Sequence, residues 1–404
     1  APTPPAIQAH PGARQGDVQR LVVRLIDAPL PARPKFPTPA GTVLVTDDRQ
    51  GTARELADRL GELDVRVALV QHAKAGEPAP KNAFAADLTD PASVSALLDK
   101  IRSEAGPVAG LIHLLPLADE IPGDRVRTEV KSLYLLARGL ENDIREAGKA
   151  NGGVLLSVTG LGGEMGFGNL PEDVSVGHGG VAGFTKCLGY EWPEVAVRVL
   201  DVNPETPATR LAELILSELG DPDGPFEVGC DGDTRVAWQC DPGPIDKSDA
   251  TPIELSKSDT VLITGGARGV TAKVALEFAE RYGSKLVLVG SSPEPTAEPA
   301  EFAGLTAVGE LKPAIMKWLQ AEGKPAAPAN VESAFQRLKK DREIRGNLAA
   351  IRAAGGTVEY RAVDVRDPAA FGALLDELNA KGGIAGVIHG AGVIEDKLLK
   401  DKTP

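Results

Sequence analysis

An α/β fold of two tandem, doubly wound parallel sheets is predicted by three observations. The first is the stretch 261–272, where the apolar run Val261-Leu-Ile-Thr264 enters a turn carrying Gly265, Gly266 and Gly269. Val274, Leu276, Phe278 and Ala279 then recur among charges up to Tyr282, as on an amphipathic helix. Such a turn lets the backbone come close to a pyrophosphate, and the helix start offers it unpaired N–H groups. Glycine turns after strands are also common as plain structure, so this stretch alone supports either reading. The second observation is internal repetition: 42–53 aligns without a gap on 260–271, 66–70 answers 285–289, 87–91 answers 364–368, and 110–113 answers 386–389. The third is where the copies differ. Asp47 and Asp48 stand at the places of Gly265 and Gly266, and Leu114-Leu-Pro116 at those of Gly390-Ala-Gly392. Carboxylates repel a pyrophosphate and bulky side chains block close approach. The first copy is therefore expected to be a cofactor-free Rossmann-like sheet, and the second a cofactor-binding one.

With 404 residues, 42% of them hydrophobic, the chain can bury two ordinary cores. A net charge of −13 argues against nucleic acid or an anionic membrane as partner. Three cysteines without metal-ligand spacing and five scattered histidines suggest no metal site, and read as reduced thiols in a cytoplasmic protein. No apolar run approaches the ~20 residues that span a bilayer, and the N-terminus lacks a signal peptide's hydrophobic segment.

The Pro/Ala-rich residues 1–40 read as an exposed linker whose one periodic piece, Val18 to Ile26, is short. From Gly41 the first unit reads as a strand, a helix over about 52–63, and strands near 65–70, 83–86 and 108–114. A long helix over about 124–147 has Val126, Val130, Leu133, Leu136, Leu140 and Ile144 at helical spacing. Strand 154–158, helix 179–190, strand 197–202, helix 207–219 and the strand-like 226–229 and 234–238 follow. Residues 241–258 form a Pro-bearing connector. The second unit repeats strand, loop, helix and strand (285–289). An insertion of about 60 residues then precedes the strand near 357–363, and its charged helix 334–344 reads as a solvated face. A strand over 384–388 follows. Compared with the first half, the second unit is truncated, lacking a last helix pair and two strands. The parts read as 1–40, 41–250 and 251–404.

Thr264-Gly-Gly-Ala-Arg-Gly-Val270, Asp364-Val365 and His389-Gly-Ala-Gly-Val393 resemble the ketoreductase domains of type I polyketide synthases, most closely those of polyunsaturated-fatty-acid synthases. The resemblance covers about 41–404. It implies a cofactor-free structural subdomain followed by a catalytic short-chain dehydrogenase/reductase subdomain. The cofactor implied is NADPH, lined by Thr264, Gly265, Gly266, Ala267, Arg268, Gly269, Val270, Ser291, Asp364, Val365, Gly390, Ala391 and Gly392. Thr271 departs from the family's loop, which often has a glycine there. Asp364 is equally the type of residue that ends a strand, and Gly390 to Gly392 could be a plain turn. His389 is matched by His113 in the other copy and reads as structural.

The reaction implied is reduction of a β-ketoacyl thioester, held by phosphopantetheine on acyl carrier protein among other synthase domains. A Tyr hydroxyl protonates the ketone oxygen, oriented by a Ser and tuned by a Lys. Those residues find no place here: Val174 and His178 occupy the Tyr and Lys places of the first unit, and none of Tyr134, Tyr190, Tyr282 and Tyr360 is followed four residues later by Lys. They are expected beyond Pro404. Ser157 and Thr159 read as strand-end hydroxyls. Asp396, after Ile394 and Glu395, resembles the family's acid that marks a (3R)-hydroxyacyl product; otherwise it is a surface acid beside Lys397 and Lys400. Arg268, with no acid closing the second strand at Gly290-Ser-Ser292, points to NADPH over NADH. The other function class is a non-catalytic nucleotide-binding or scaffold domain of a megasynthase.

Overall fold

The computed structural model describes residues 20–31, 39, 41–73, 81–121, 123–150, 152–168, 170, 173–243, 253–393 and 395–403. It divides into two compact units, Ala1–Asp246 with Asp396–Pro404, and Lys247–Glu395. Most of the linker expected over 1–40 and part of the connector lie outside the described residues.

The first unit runs β1 (Leu21–Asp27), β2 (Thr42–Thr46), α1 (Thr52–Glu62), β3 (Val67–His72), β4 (Phe84–Ala86), α2 (Pro91–Ala105) and β5 (Val108–His113). It continues with α3 (Arg125–Lys149), β6 (Val154–Thr159), α4 (Gly177–Glu191), β7 (Ala196–Val202), α5 (Ala208–Leu219), β8 (Glu227–Asp231) and β9 (Thr234–Pro242). Among the described residues these strands form one nine-stranded sheet in the order β1-β9-β8-β7-β6-β5-β2-β3-β4. β2 to β8 are parallel; β9 and β1 are antiparallel additions at one edge. The tether expected through residue 40 is thus corrected over Leu21–Asp27, which pairs with β9 along its whole length. It falls in the short periodic piece Val18 to Ile26, whose pairing partner lies more than 200 residues on.

Parallel strands buried on both faces need apolar residues at every position, and β2, β5 and β6 are buried throughout. Leu44, Leu111 and Leu155 join α2, α3 and α4 in one core layer, while Val43, Ile112 and Leu156 join α1 and α5 in the other. Helix α2 was not singled out in the sequence, yet its start is clear: Asp90 accepts the Ser93 N–H at 2.7 Å and Pro91 fills the first turn. The segment at the chain's end packs on this unit: Leu399 is buried in its core, the Leu399 N–H reaches Glu191 Oε2 at 2.9 Å, and the Tyr134 hydroxyl donates to the Lys402 carbonyl at 2.8 Å.

The second unit runs β10 (Thr260–Thr264), α6 (Gly269–Tyr282), β11 (Lys285–Gly290), α7 (Val308–Ala321), α8 (Pro328–Ala353), β12 (Thr357–Ala362), α9 (Pro368–Ala380) and β13 (Gly386–His389). Its strands are parallel in the order β12-β11-β10-β13. Ile344, Leu348 and Ile351 of α8 pack with α6 against the sheet, and Leu374 and Leu378 of α9 cover its other face. The N-terminal half of α8 builds a satellite core with α7 through Val331, Phe335 and Leu338.

The charge run of α8 is more than a solvated face. Arg342 and Arg345 both clasp Glu298, and Arg342 also donates to the carbonyls of Leu305 and Phe302. These bonds tie the insertion to itself.

Candidate functional site

The sheet order reverses between β11 and β13 on either side of β10, and crevices of open parallel sheets form where the order reverses, outside the carboxyl ends of the strands. A cleft of about 530 Å³ lies there. The expected residues Gly265, Ala267, Arg268, Ser291, Asp364 and Val365 line it, and so do Gly390, Ala391 and Gly392. The expected residues Thr264, Gly266, Gly269 and Val270 belong to the same strand and loop but do not line the cleft, and Val270 is exposed. Asp396 is exposed and is grouped with the first unit.

Close backbone approach explains two of the glycines. Gly265 has φ +69°, and a Cβ there would lie 2.7 Å from the Gly390 carbonyl oxygen; a Cβ on Gly390 would lie 2.5 Å from Thr271. The loop and the turn after β13 are therefore pressed together, and Thr271, the departure from the family's glycine, is the side chain that fills the gap. Gly266 serves packing: a Cβ there would meet Ile263 and Leu288.

Thr264 Oγ1 lies 2.8 Å from His389 Nδ1 and accepts the Ala391 N–H at 3.2 Å. The first unit builds the same link, with Thr46 Oγ1 3.3 Å from His113 Nδ1 and accepting the N–H groups of Leu114 and Leu115. A threonine–histidine pair that recurs where acids replace the loop's first two glycines is a brace between strand ends. Burial pushes the His113 imidazole down to about 4.

Asp364 is held by Arg366 through its guanidinium and its backbone N–H, which bring its carboxyl down to about 2. The Tyr360 hydroxyl donates to the Ser292 carbonyl at 2.8 Å and burial raises its pKa, so it shapes the end of β11. Sequence reasoning missed one whole wall. Lys340 and Ile344 of α8 line the cleft, Asn347 Nδ2 donates to the Ala267 carbonyl at 2.9 Å, and Glu343 bridges Arg268 and the Gly269 N–H. The spacing 340, 343, 344, 347 places these four on one face of the helix but does not say what that face meets.

In the first unit the equivalent loop is closed by its own acid. Asp48 is fully buried and its two carboxylate oxygens accept the N–H groups of Thr52 and Ala53, each at 3.3 Å. His178 and Ser157 are likewise engaged: His178 Nδ1 accepts the Gly160 N–H at 2.8 Å, and Ser157 Oγ lies 2.8 Å from Thr185 Oγ1. Among the described residues, no group of three or more His, Cys, Asp or Glu side chains could hold a metal ion, and no helix is long and apolar enough to cross a membrane.

Residues 259–404 match the family model of the KR domain, and residues 41–219 that of the short chain dehydrogenases. Both matches, with the relatives below, support a ketoreductase domain of the short-chain dehydrogenase/reductase superfamily, whose members are nicotinamide-dependent oxidoreductases. The chain is 26% identical over 425 aligned positions to one of the polyunsaturated fatty acid synthase chains of Thraustochytrium sp., covering 97% of this chain and 14% of that protein. It is 28% identical to the 3-oxoacyl-[acyl-carrier-protein] reductase FabG of Escherichia coli over 180 residues, which is 41% of this chain and 71% of FabG. A solved adenylation, ketoreductase and pseudo-Asub multidomain structure of a keto acid-selecting NRPS module superposes with a TM-score of 0.64 at 20% identity, over 95% of this chain and 29% of that one. That likeness establishes the shared fold.

Proposed function

We propose that this ketoreductase binds NADPH in the second unit and serves reduction of a β-ketoacyl thioester on acyl carrier protein to the (3R)-hydroxyacyl thioester, within a polyketide or fatty-acid synthase. On this reading the two units are tandem Rossmann-like sheets, of which the second carries the site. The observation that carries it is the convergence of the glycine loop, Ser291, Asp364 and the Gly390–Gly392 turn on one cleft at the strand ends. The cradle fits a dinucleotide because the loop and turn leave no room for a Cβ at Gly265 or Gly390, and because an anion's donors are there: the Gly269 N–H and the Arg268 guanidinium already hold a carboxylate.

NADPH supplies the hydride when bound. This chain's own residues bind and orient: the loop would meet the pyrophosphate, Asp364 and Val365 would flank the adenine, and Gly390 to Gly392 would lie along the nicotinamide half. Arg268 and Lys340 also line a second hollow next to the cleft, between Ser292 and α8. Three cations there, Arg337 being the third, outnumber Glu294 and Asp341 in the same hollow, and no acid closes β11 at Gly290-Ser-Ser292, which favours a 2′-phosphate. A charge-assisted Arg–phosphate bond is worth roughly 1.5–3 kcal/mol, about tenfold to a hundredfold in affinity.

Calorimetric titration should therefore give a lower Kd for NADPH than for NADH by about that factor, and Arg268→Ala should erase the difference. Equal affinities in the unmutated protein contradict the assignment, and no binding of either favours a scaffold role. The (3R) outcome rests on Asp396 steering the thioester arm. Chiral chromatography of product from any preparation with turnover should show mainly the 3R alcohol, and a 3S product would refute that role.

A further inference from the structure

The Glu343 carboxylate sits where the proposed site calls for an anion. Its Oε1 accepts the Gly269 N–H at 2.8 Å and its Oε2 accepts the Arg268 Nε–H at 2.8 Å. The Gly269 N–H is a donor that a phosphate at the start of α6 would use, and Arg268 is the side chain proposed above for the 2′-phosphate. Both, together with nearby Lys273, hold the Glu343 carboxyl below the usual carboxylate range.

The first unit shows what such an acid does when it is permanent. Asp48 belongs to the loop itself, is fully buried, and satisfies the N–H groups at the start of α1. Glu343 differs in each respect. It comes from α8, 74 residues beyond Gly269 in the chain. Its side chain is 38% exposed and that of Arg268 48% exposed, so water can take over both partners. It lies beside Lys340 and Ile344, which line the cleft.

We propose that Glu343 is a displaceable internal mimic of the cofactor's phosphate: it occupies the Arg268–Gly269 donors in the empty site and is expelled when a nucleotide binds. This rests on the nucleotide reading of the cleft. Since only molecules with the donors free can accept a phosphate, apparent affinity falls by the fraction of such molecules. The expelled carboxylate then faces a like charge. Glu343 thus sets the cofactor affinity as a specificity-determining residue: it selects for ligands with enough phosphate charge to displace it, and leaves the loop shaped and solvated when the site is empty.

The test is titration of the whole chain with NADPH, comparing the unmutated protein with Glu343→Gln, Glu343→Ala and Asn347→Ala. Removing the charge should tighten NADPH roughly three- to tenfold in both Glu343 variants. Asn347→Ala, which cuts the neutral tie between α8 and the loop, should not tighten it. Thermal melts check that each variant is folded, and Glu343→Ala stands in if Glu343→Gln is not. Unchanged or weaker NADPH binding in a folded Glu343 variant would show that the acid props Arg268, and would overturn the proposal while leaving the nucleotide site intact. Equal tightening by Asn347→Ala would overturn it in favour of simple loosening of α8. If none of the proteins binds NADPH, the reading of the cleft fails and the proposal with it.

Discussion

At the residue scale, buried polar groups close the first unit's loop and set how that unit responds to pH. His113 is fully buried and neutral, with its pKa lowered from 6.5 to about 4. Between those values the unfolded chain binds a proton that the folded chain refuses, so stability falls as pH drops through that window, by up to about 3 kcal/mol at its lower end. Asp201 works in the opposite sense, since burial raises its pKa and acid favours its folded form. The His113 part is isolated by difference: unfolding of His113→Gln should lose less stability than the unmutated protein between pH 7 and pH 4. Parallel profiles would contradict the buried neutral state. The repeat in the sequence made Asp47 and Asp48 legible as acids in place of the loop glycines, whereas the fold was needed to show Asp48 capping the loop's own N–H groups. The repeat could not reveal Glu343, because an acid on a charged helix has no sequence mark that says which distant backbone N–H it meets.

At the element scale, most strands and helices were legible within a residue or two, since buried parallel strands and amphipathic helices announce themselves by apolar pattern. β1 escaped because its partner β9 lies at the far end of the unit, with Leu21 opposite Pro242. Edge pairing of this kind is a tertiary event. Helix α8 was read over 334–344 as a charged helix with a solvated face, whereas it packs on three sides at once: the sheet core, the satellite core and the glycine loop. Its charges are partnered accordingly. Arg342, 28% exposed, joins Glu298 and two carbonyls. Arg342→Ala should therefore lower the unfolding free energy by about 1–3 kcal/mol in urea titrations. A loss within about 0.5 kcal/mol would mean that the cluster is no more than surface charge.

At the scale of the whole molecule, one nucleotide site is assigned to a chain with two glycine-bearing strand–loop–helix units. Gly51 in the first unit still opens α1, as Gly269 opens α6. What separates them is the acid in the first loop and the bulky 114–116 turn that stands where the second unit has Gly390 to Gly392. That asymmetry could be read from sequence, whereas the cleft wall formed by α8 required the fold. Hydrogen exchange with and without saturating NADPH tests the asymmetry most directly. Protection should appear over 264–270, 289–292, 363–366 and 389–393, with residues 46–53 and 114–117 unchanged. Protection of the first unit's loop, or its absence from the second unit's loop with NADPH bound, would contradict the assignment of the site to the second unit.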